Sequence, residues 1–275
     1  MGIRSQELGS MIFTDQLQRK IDIQYPPKKI ISLVPSQTEL LFDLGLEDQL
    51  DGITKFCVHP GHLRKSKKII GGTKNLRIAE IKKLHPDLII ANKEENEKDQ
   101  IEELARYFPV WISDIKNFDD AINMISGIGE ITGRSYQAEG IINKIIASKR
   151  IFQKELIKDH DLKSVLYLIW KEPYMSVGAD TFIHAMLQIA GFRNIIEEKR
   201  RYPEIHINEI QHFAPGLIFL SSEPYPFKEK HISELQALFP ASKILLVDGE
   251  MFSWYGSRLI YAFAYFSSLH REMNK

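Results

Sequence analysis

With 275 residues, 44% hydrophobic and 26% charged, the chain is long enough to bury roughly three quarters of its unfolded surface, which marks a folded globular protein. Thirty-six Lys plus Arg balance thirty-six Asp plus Glu, so no bulk field steers nucleic acid or an anionic membrane toward it. The single cysteine, Cys57, excludes an internal disulfide and an all-cysteine zinc site, and no run approaches the roughly 18 apolar residues of a membrane helix.

Residues 1–10 (MGIRSQELGS) lack the apolar core of a secretory signal. The Gly-Ser before Met11 reads as the end of an added leader, which sets the natural start at Met11. As it stands the chain is expected in the cytoplasm, or in the periplasm or at the cell surface if an export signal has been removed. Short β-branched runs bounded by turn residues predict buried parallel strands at Lys29 to Val34, Asp87 to Ala91, Val110 to Ser113, Ser164 to Trp170, Leu217 to Ser221 and Lys243 to Asp248. Helical patterns fall between them at Ser36 to Gly45, Ala79 to Leu84, Asn96 to Tyr107, Asn117 to Ile131, Ala179 to Ile189 and Ser257 to His270. Strand then helix, repeated, predicts an α/β fold. From Ser135 to about Ile157, apolar residues at helical spacing predict one helix roughly 35 Å long, capped by Ser135 and ended by the polar run Lys158 to Lys163.

The chain also repeats itself. Arg77 to Ala91 reads RIAEIKKLHPDLIIA and His206 to Leu220 reads HINEIQHFAPGLIFL, with Glu80 matching Glu209 and Pro86 matching Pro215. Each copy is a short helix, a proline that stops it and an apolar strand. Two such units flanking a long helix predict two similar Rossmann-like α/β lobes, 11–133 and 163–275, joined by a bridging helix at 134–162, with a ligand cleft between the lobes.

Chemical motifs are sparse. Gly127-Ile-Gly129-Glu-Ile-Thr-Gly133 imitates a dinucleotide fingerprint, but its third glycine is one residue late and the segment continues a helix. In Gly71-Gly72-Thr73-Lys74 the Thr precedes the Lys, the reverse of a phosphate loop, so this loop is expected to carry Thr73 and Lys74 to a cleft. No Gly-x-Ser-x-Gly occurs, and no acid and base pair stands at a recognisable spacing. Cys57, His59 and His62 fall within six residues, at a spacing unlike that of a structural zinc site; they read either as a loop with a buried thiol or as one contact to a ligand's metal. Aromatic residues gather in loops after strands: Phe56, Trp170 with Tyr174, Tyr202, Tyr225 with Phe227, and Phe252 with Trp254 and Tyr255. Ligands bind there in open α/β sheets, and flat apolar faces with polar tips suit a large planar ligand.

The stretches Lys28 to Leu46 (KKIISLVPSQTELLFDLGL), Gly52-Ile-Thr-Lys-Phe-Cys57, Gly71-Gly-Thr-Lys-Asn75 and Pro86-Asp-Leu-Ile-Ile90, followed by Tyr174 to Ile196 and Met251 to Arg258, resemble the substrate-binding proteins with a helical backbone that serve ABC importers of cobalamin, haem and ferric siderophores. The resemblance runs from about residue 28 to 272 and is greatest to the cobalamin-binding branch. It implies two α/β lobes bridged by one helix, a rigid apolar slot between them, and no catalysis. It puts Phe56 and Tyr202 where each lobe presents a cleft aromatic, and matches Trp170 to Tyr174 and Phe252 to Tyr255 to the remaining cleft loops. Thr73 falls where cobalamin binders can carry an aromatic. The family docks on its permease through one glutamate per lobe, seven residues ahead of the repeated proline. Ala79 and Asn208 stand there, and Glu80 and Glu209 follow one residue later.

The expectation is a monomer that captures cobalamin, or a similar corrinoid, as ligand and holds no intrinsic cofactor. Stacking is assigned to Phe56, Trp170, Tyr202 and Trp254, with Tyr174 and Thr73 in the walls, and polar contact to Lys74, Tyr255 and Arg258. A cobalt contact falls to Cys57 or His59, and docking on an ABC permease to Glu80 and Glu209. One alternative ligand is haem or a ferric siderophore, with Lys74 and Arg258 neutralising an anionic chelate. A third reading is a cytosolic corrinoid-handling enzyme.

Overall fold

The computed structural model describes residues 9–156 and 163–273. Of these, 9–115, 120–144 and 255–257 form one compact unit, and 116–119, 145–156, 163–254 and 258–273 form a second.

The first unit opens with a hairpin, β1 (Gly9–Thr14) and β2 (Lys20–Tyr25). Gly9 and Ser10, read from the sequence as leader, pair with Tyr25 and Gln24 in it; residues 1–8 lie outside the described residues. Its turn is tied by Asp15, whose carboxylate accepts from the Leu17 and Arg19 amides at 2.9 Å each and from the Arg19 guanidinium at 2.6 Å. There follow β3 (Ile30–Ser32), α1 (Pro35–Asp43), β4 (Leu50–Ile53), α2 (Leu63–Ser66), β5 (Lys68–Ile69), α3 (Ile78–Leu84), β6 (Leu88–Asn92), α4 (Lys98–Ala105), β7 (Val110–Ser113), α5 (Phe118–Ile131) and α6 (Ser135–Leu156). The sheet has the order β5-β4-β3-β6-β7, with every pair parallel. Strand β6, an interior strand between β3 and β7, is buried throughout, as a strand covered on both faces must be, and this is why its sequence runs apolar without alternation. Ile31, Leu33, Ile81, Ile89, Leu104 and Val110 anchor the core.

The second unit contains β8 (Lys163–Leu168), α7 (Phe182–Ile189), β9 (Phe192–Asn194), α8 (Ile207–Phe213), β10 (Leu217–Ser221), α9 (Glu229–Leu238), β11 (Lys243–Val247), α10 (Glu250–Ser253) and α11 (Leu259–Met273). Its parallel sheet has the order β11-β10-β8-β9, over a core that includes Leu166, Leu168, Ile210, Ile218, Leu220 and Leu235. Helix α7 is capped by Thr181, whose hydroxyl accepts from the His184 amide at 3.2 Å. Helix α6 is the expected long rod: residues 135–144 belong to the first unit and 145–156 to the second. Its expected terminator, 158–162, lies outside the described residues.

The internal repeat is structural as well as sequential. Helices α3 and α8 both end on a left-handed residue, His85 (φ 48°) and Ala214 (φ 44°), each followed by the repeated proline. Proline disfavours the right-handed helical conformation for the residue before it, so the same stop appears in both units without a glycine.

Candidate functional site

In each sheet the strand order reverses once, and an open α/β sheet binds its ligands outside the carboxyl ends of its strands at that switch point. The first unit's switch lies between β3 and β6, the second's between β8 and β10.

At the first rim a buried polar network replaces apolar packing. Gln37 Nε2 donates to Ser113 Oγ at 2.5 Å and Asn92 Nδ2 to the same hydroxyl at 2.9 Å. Asn96 Nδ2 donates to the carbonyls of Leu33 and Thr73 at 3.2 and 3.0 Å, tying the 71–76 loop to the sheet. That loop is a floor for Phe56, which follows β4 and is 49% exposed. A Cβ on Gly72 would lie 3.1 Å from the Phe56 ring, so the ring rests on bare backbone, and Lys55 Nζ sits 4.9 Å from its centroid. Thr73 is half-buried beside it.

At the second rim Trp170, just past β8, is 39% exposed. Tyr225, in the loop after β10, meets it edge-on at 5.6 Å between centroids. Tyr225 is itself held by Phe227 at 4.7 Å and His231 at 5.5 Å, so the indole has a fixed support. Tyr202 is half-buried in a loop whose Arg201 guanidinium lies 5.8 Å from its ring. Tyr174 lines a separate groove with Glu172, Pro173 and Ile205 to Asn208, and burial pushes its hydroxyl pKa up.

Several expected contacts are engaged elsewhere. Cys57 is fully buried, with Sγ 3.1 Å from Thr38 Oγ1 and 3.3 Å from Thr54 Oγ1. Burial pushes its thiol pKa up, and the fully buried sulfur is turned to these two hydroxyls, not outward as a cobalt contact would require. His59 is half-buried and His62 exposed, the latter 2.8 Å from Glu47 Oε1; among the described residues no group of three His, Cys, Asp or Glu is placed to hold a metal. Trp254 and Tyr255 are 7% and 6% exposed, too little for the stacking face expected of Trp254. Lys74 Nζ donates to the Glu94 carbonyl at 2.7 Å and pairs with Glu97 at 3.3 Å. Arg258 pairs with Glu250 at 2.9 Å and lies 5.1 Å from the Trp254 ring. Both cations expected to meet an anionic ligand are therefore neutralised within their own units. Glu80 is shared by Lys83 and Lys68 at 3.0 and 3.2 Å, and Glu209 by Lys199 at 2.6 Å and its own helix-start amide at 3.0 Å; these partners hold both carboxyls below their ordinary range.

The residue that sequence reasoning missed is Glu223, two positions past β10. Its Oε1 accepts from Ser253 Oγ at 2.6 Å and Trp254 Nε1 at 2.9 Å. The only signal in the sequence is a charged residue between an apolar strand and a proline. Burial, chiefly, pushes its carboxyl pKa up. A raised carboxyl pKa means the fold prefers the protonated form, so this contribution to stability is full below the ordinary carboxylate value and is lost as pH rises through the raised one. Glu223→Gln keeps the acceptor and removes the charge. It is expected to raise Tm relative to wild type at about pH 8 and to match it near pH 4; thermal unfolding at the two pH values checks this, and an equal effect at both contradicts it.

Residues 30–239 match the periplasmic binding protein family. The chain belongs to that family. It is 27% identical over 220 residues to the uncharacterised ABC transporter substrate-binding lipoprotein YvrC of Bacillus subtilis, covering 77% of this chain and 69% of that one. It is 23% identical over 202 residues to a vitamin B12-binding protein of Vibrio campbellii, covering 71% of each. Among solved structures, the periplasmic vitamin B12 binding protein BtuF of Vibrio cholerae superposes with a TM-score of 0.78 at 19% identity, over 91% of this chain and 99% of that one. A periplasmic haem-binding protein of Pseudomonas aeruginosa gives 0.77 at 20% identity, over 88% and 92%. The two-lobed α/β architecture read from the repeat is thus that of the family, whose members bind substrates and do not transform them. A small-molecule ligand and a permease partner are what such a family implies. Among the described residues no helix is long and apolar enough to cross a membrane.

Proposed function

We propose that this chain captures a corrinoid, cobalamin or a close analogue, on the aromatic faces at its two sheet rims, and delivers it to an ABC importer without chemical change. The observation that carries this reading is Trp170, an exposed indole braced edge-on by Tyr225 at a topological switch point. Phe56 is its counterpart in the first unit, and Tyr202 adds a half-buried ring. Support also comes from the sequence relationship to vitamin B12-binding proteins. The internal pairing of Arg258 with Glu250, both largely buried, weighs against haem or a ferric siderophore, since an anionic chelate needs cations that are available to it. Glu80 and Glu209 remain our docking points, because exposed ion pairs contribute little and exchange partners readily.

The test is calorimetric titration with cyanocobalamin. A flat aromatic wall contributes through area and stacking, so Trp170→Ala and Phe56→Ala are each expected to weaken binding by about tenfold, or about 1.4 kcal/mol, with unchanged unfolding temperature. Cobalamin affinity that is the same in both variants and wild type contradicts the assignment.

A further inference from the structure

The loop after β10 does two things at once. Through Tyr225 it braces the Trp170 plate, and through Glu223 it sets a carboxyl at the same switch point of the second sheet. The carboxyl is built in with some care. Tyr167 donates from its hydroxyl to Ser221 Oγ at 3.1 Å, and Ser221 donates to the Glu223 carbonyl at 2.6 Å, which fixes the backbone. Gly249 leaves the space, since a Cβ there would lie 2.7 Å from Glu223 Cγ and 2.4 Å from Ser221 Oγ. Ser253 and Trp254 both donate to Oε1, which sets the rotation of the carboxyl group. Oε2 carries no hydrogen bond among the described residues, and the residue keeps partial exposure. The neighbouring acids are otherwise engaged: Glu250 pairs with Arg258 at 2.9 Å, and Asp248 Oδ1 accepts from the Glu250 amide at 3.0 Å. Among the described residues no cation is paired with Glu223, so in its ionised form the open oxygen is an acceptor for an N–H or O–H donor at this switch point.

We infer that Glu223 Oε2 receives the N–H donors of peripheral carboxamides on the bound macrocycle, so that this chain selects an amide-edged ring over an acid-edged one. The inference rests on the corrinoid reading above and goes beyond it, naming the edge chemistry that is recognised and the residue that recognises it. With Glu223 ionised, a carboxylate edge would place oxygen against oxygen beside an already acidic rim, a like-charge contact relieved only by taking up a proton. A carboxamide edge satisfies both partners, and a buried acceptor contact of this kind discriminates strongly because its loss leaves a polar group unpaired.

The experiment uses two corrinoid probes that differ only at the edge: dicyanocobinamide, with its carboxamides, and the corresponding corrinoid whose side chains are free acids. Both are titrated at about pH 8 into wild type, Glu223→Gln and Glu223→Ala, and thermal unfolding confirms that each variant is folded. Wild type is expected to prefer the amide form by more than about tenfold. In Glu223→Gln, which keeps the Ser253 and Trp254 contacts but can donate to a carboxylate, the preference should shrink to within about threefold. Glu223→Ala should weaken the amide form by about tenfold. Equal affinity of wild type for both probes, or an undiminished preference in Glu223→Gln, overturns the inference and leaves the corrinoid reading standing. Failure of wild type to bind either probe overturns the corrinoid reading, and this inference with it.

Discussion

Gly71→Ala is expected to lower stability by about 2–5 kcal/mol and to abolish the Phe56 platform. Gly71 has φ of +112°, and a Cβ there would lie 2.4 Å from the Asn75 carbonyl and 3.1 Å from the Leu76 Cα and the Arg77 amide. All three are backbone atoms, and the loop cannot yield locally. Its carbonyl receives the Lys55 amide at 2.8 Å while the next amide, of Gly72, donates to Asn75 at 2.9 Å. Backbone strain of about 1–3 kcal/mol then adds to an overpacking cost of similar size. Because Gly72 lies under the Phe56 ring, the same change displaces the first unit's exposed aromatic. Urea unfolding gives the stability loss; a change under about 1 kcal/mol would mean that the loop is softer than its hydrogen bonds indicate.

Phe152→Ala is expected to cost about 3–5 kcal/mol. This ring comes from the second half of α6 and packs on α11, with centroids 6.2 Å from Phe263, 5.9 Å from Phe266 and 6.1 Å from His270. His270 is in turn stacked on Phe192 at 4.9 Å and 4.9 Å is closer than either phenylalanine pair, so the cavity left by alanine has rigid walls and collapses poorly. Thermal unfolding should show Tm falling by roughly 10 °C. A fall of only one or two degrees would show that α6 gains little from this cluster.

The sequence makes most of the scaffold legible and only part of the site. Strands covered on both faces, such as Leu88–Asn92 and Leu217–Ser221, announce themselves as apolar runs, and the 22-residue helix Ser135–Leu156 by its period. The β1–β2 hairpin is not legible, because the first four residues of β1 are exposed and carry no buried-strand signal. The two- to four-residue strands β5, β9 and β4 are too short to show a period, and α9 has a mixed polar sequence held in place by tertiary contacts of Leu235 and His231. At the candidate site, Phe56 and Trp170 are legible because an aromatic after a strand end is visible in one dimension. The internal pairing of Arg258 and Lys74 and the burial of Cys57 depend on partners 8 to 23 residues away, Glu250, Glu97 and Thr38 among them. Glu223 escaped notice because its partners Ser253 and Trp254 lie about thirty residues on.

The most direct test of the central claim is thermal unfolding of the wild-type protein with increasing aquocobalamin, repeated at about 50 and 500 mM salt. The account predicts saturable stabilisation that follows ligand concentration and barely changes with salt, because the grip is left to shape and stacking. No stabilisation by aquocobalamin, with salt-sensitive stabilisation by haem or a ferric siderophore instead, would contradict it.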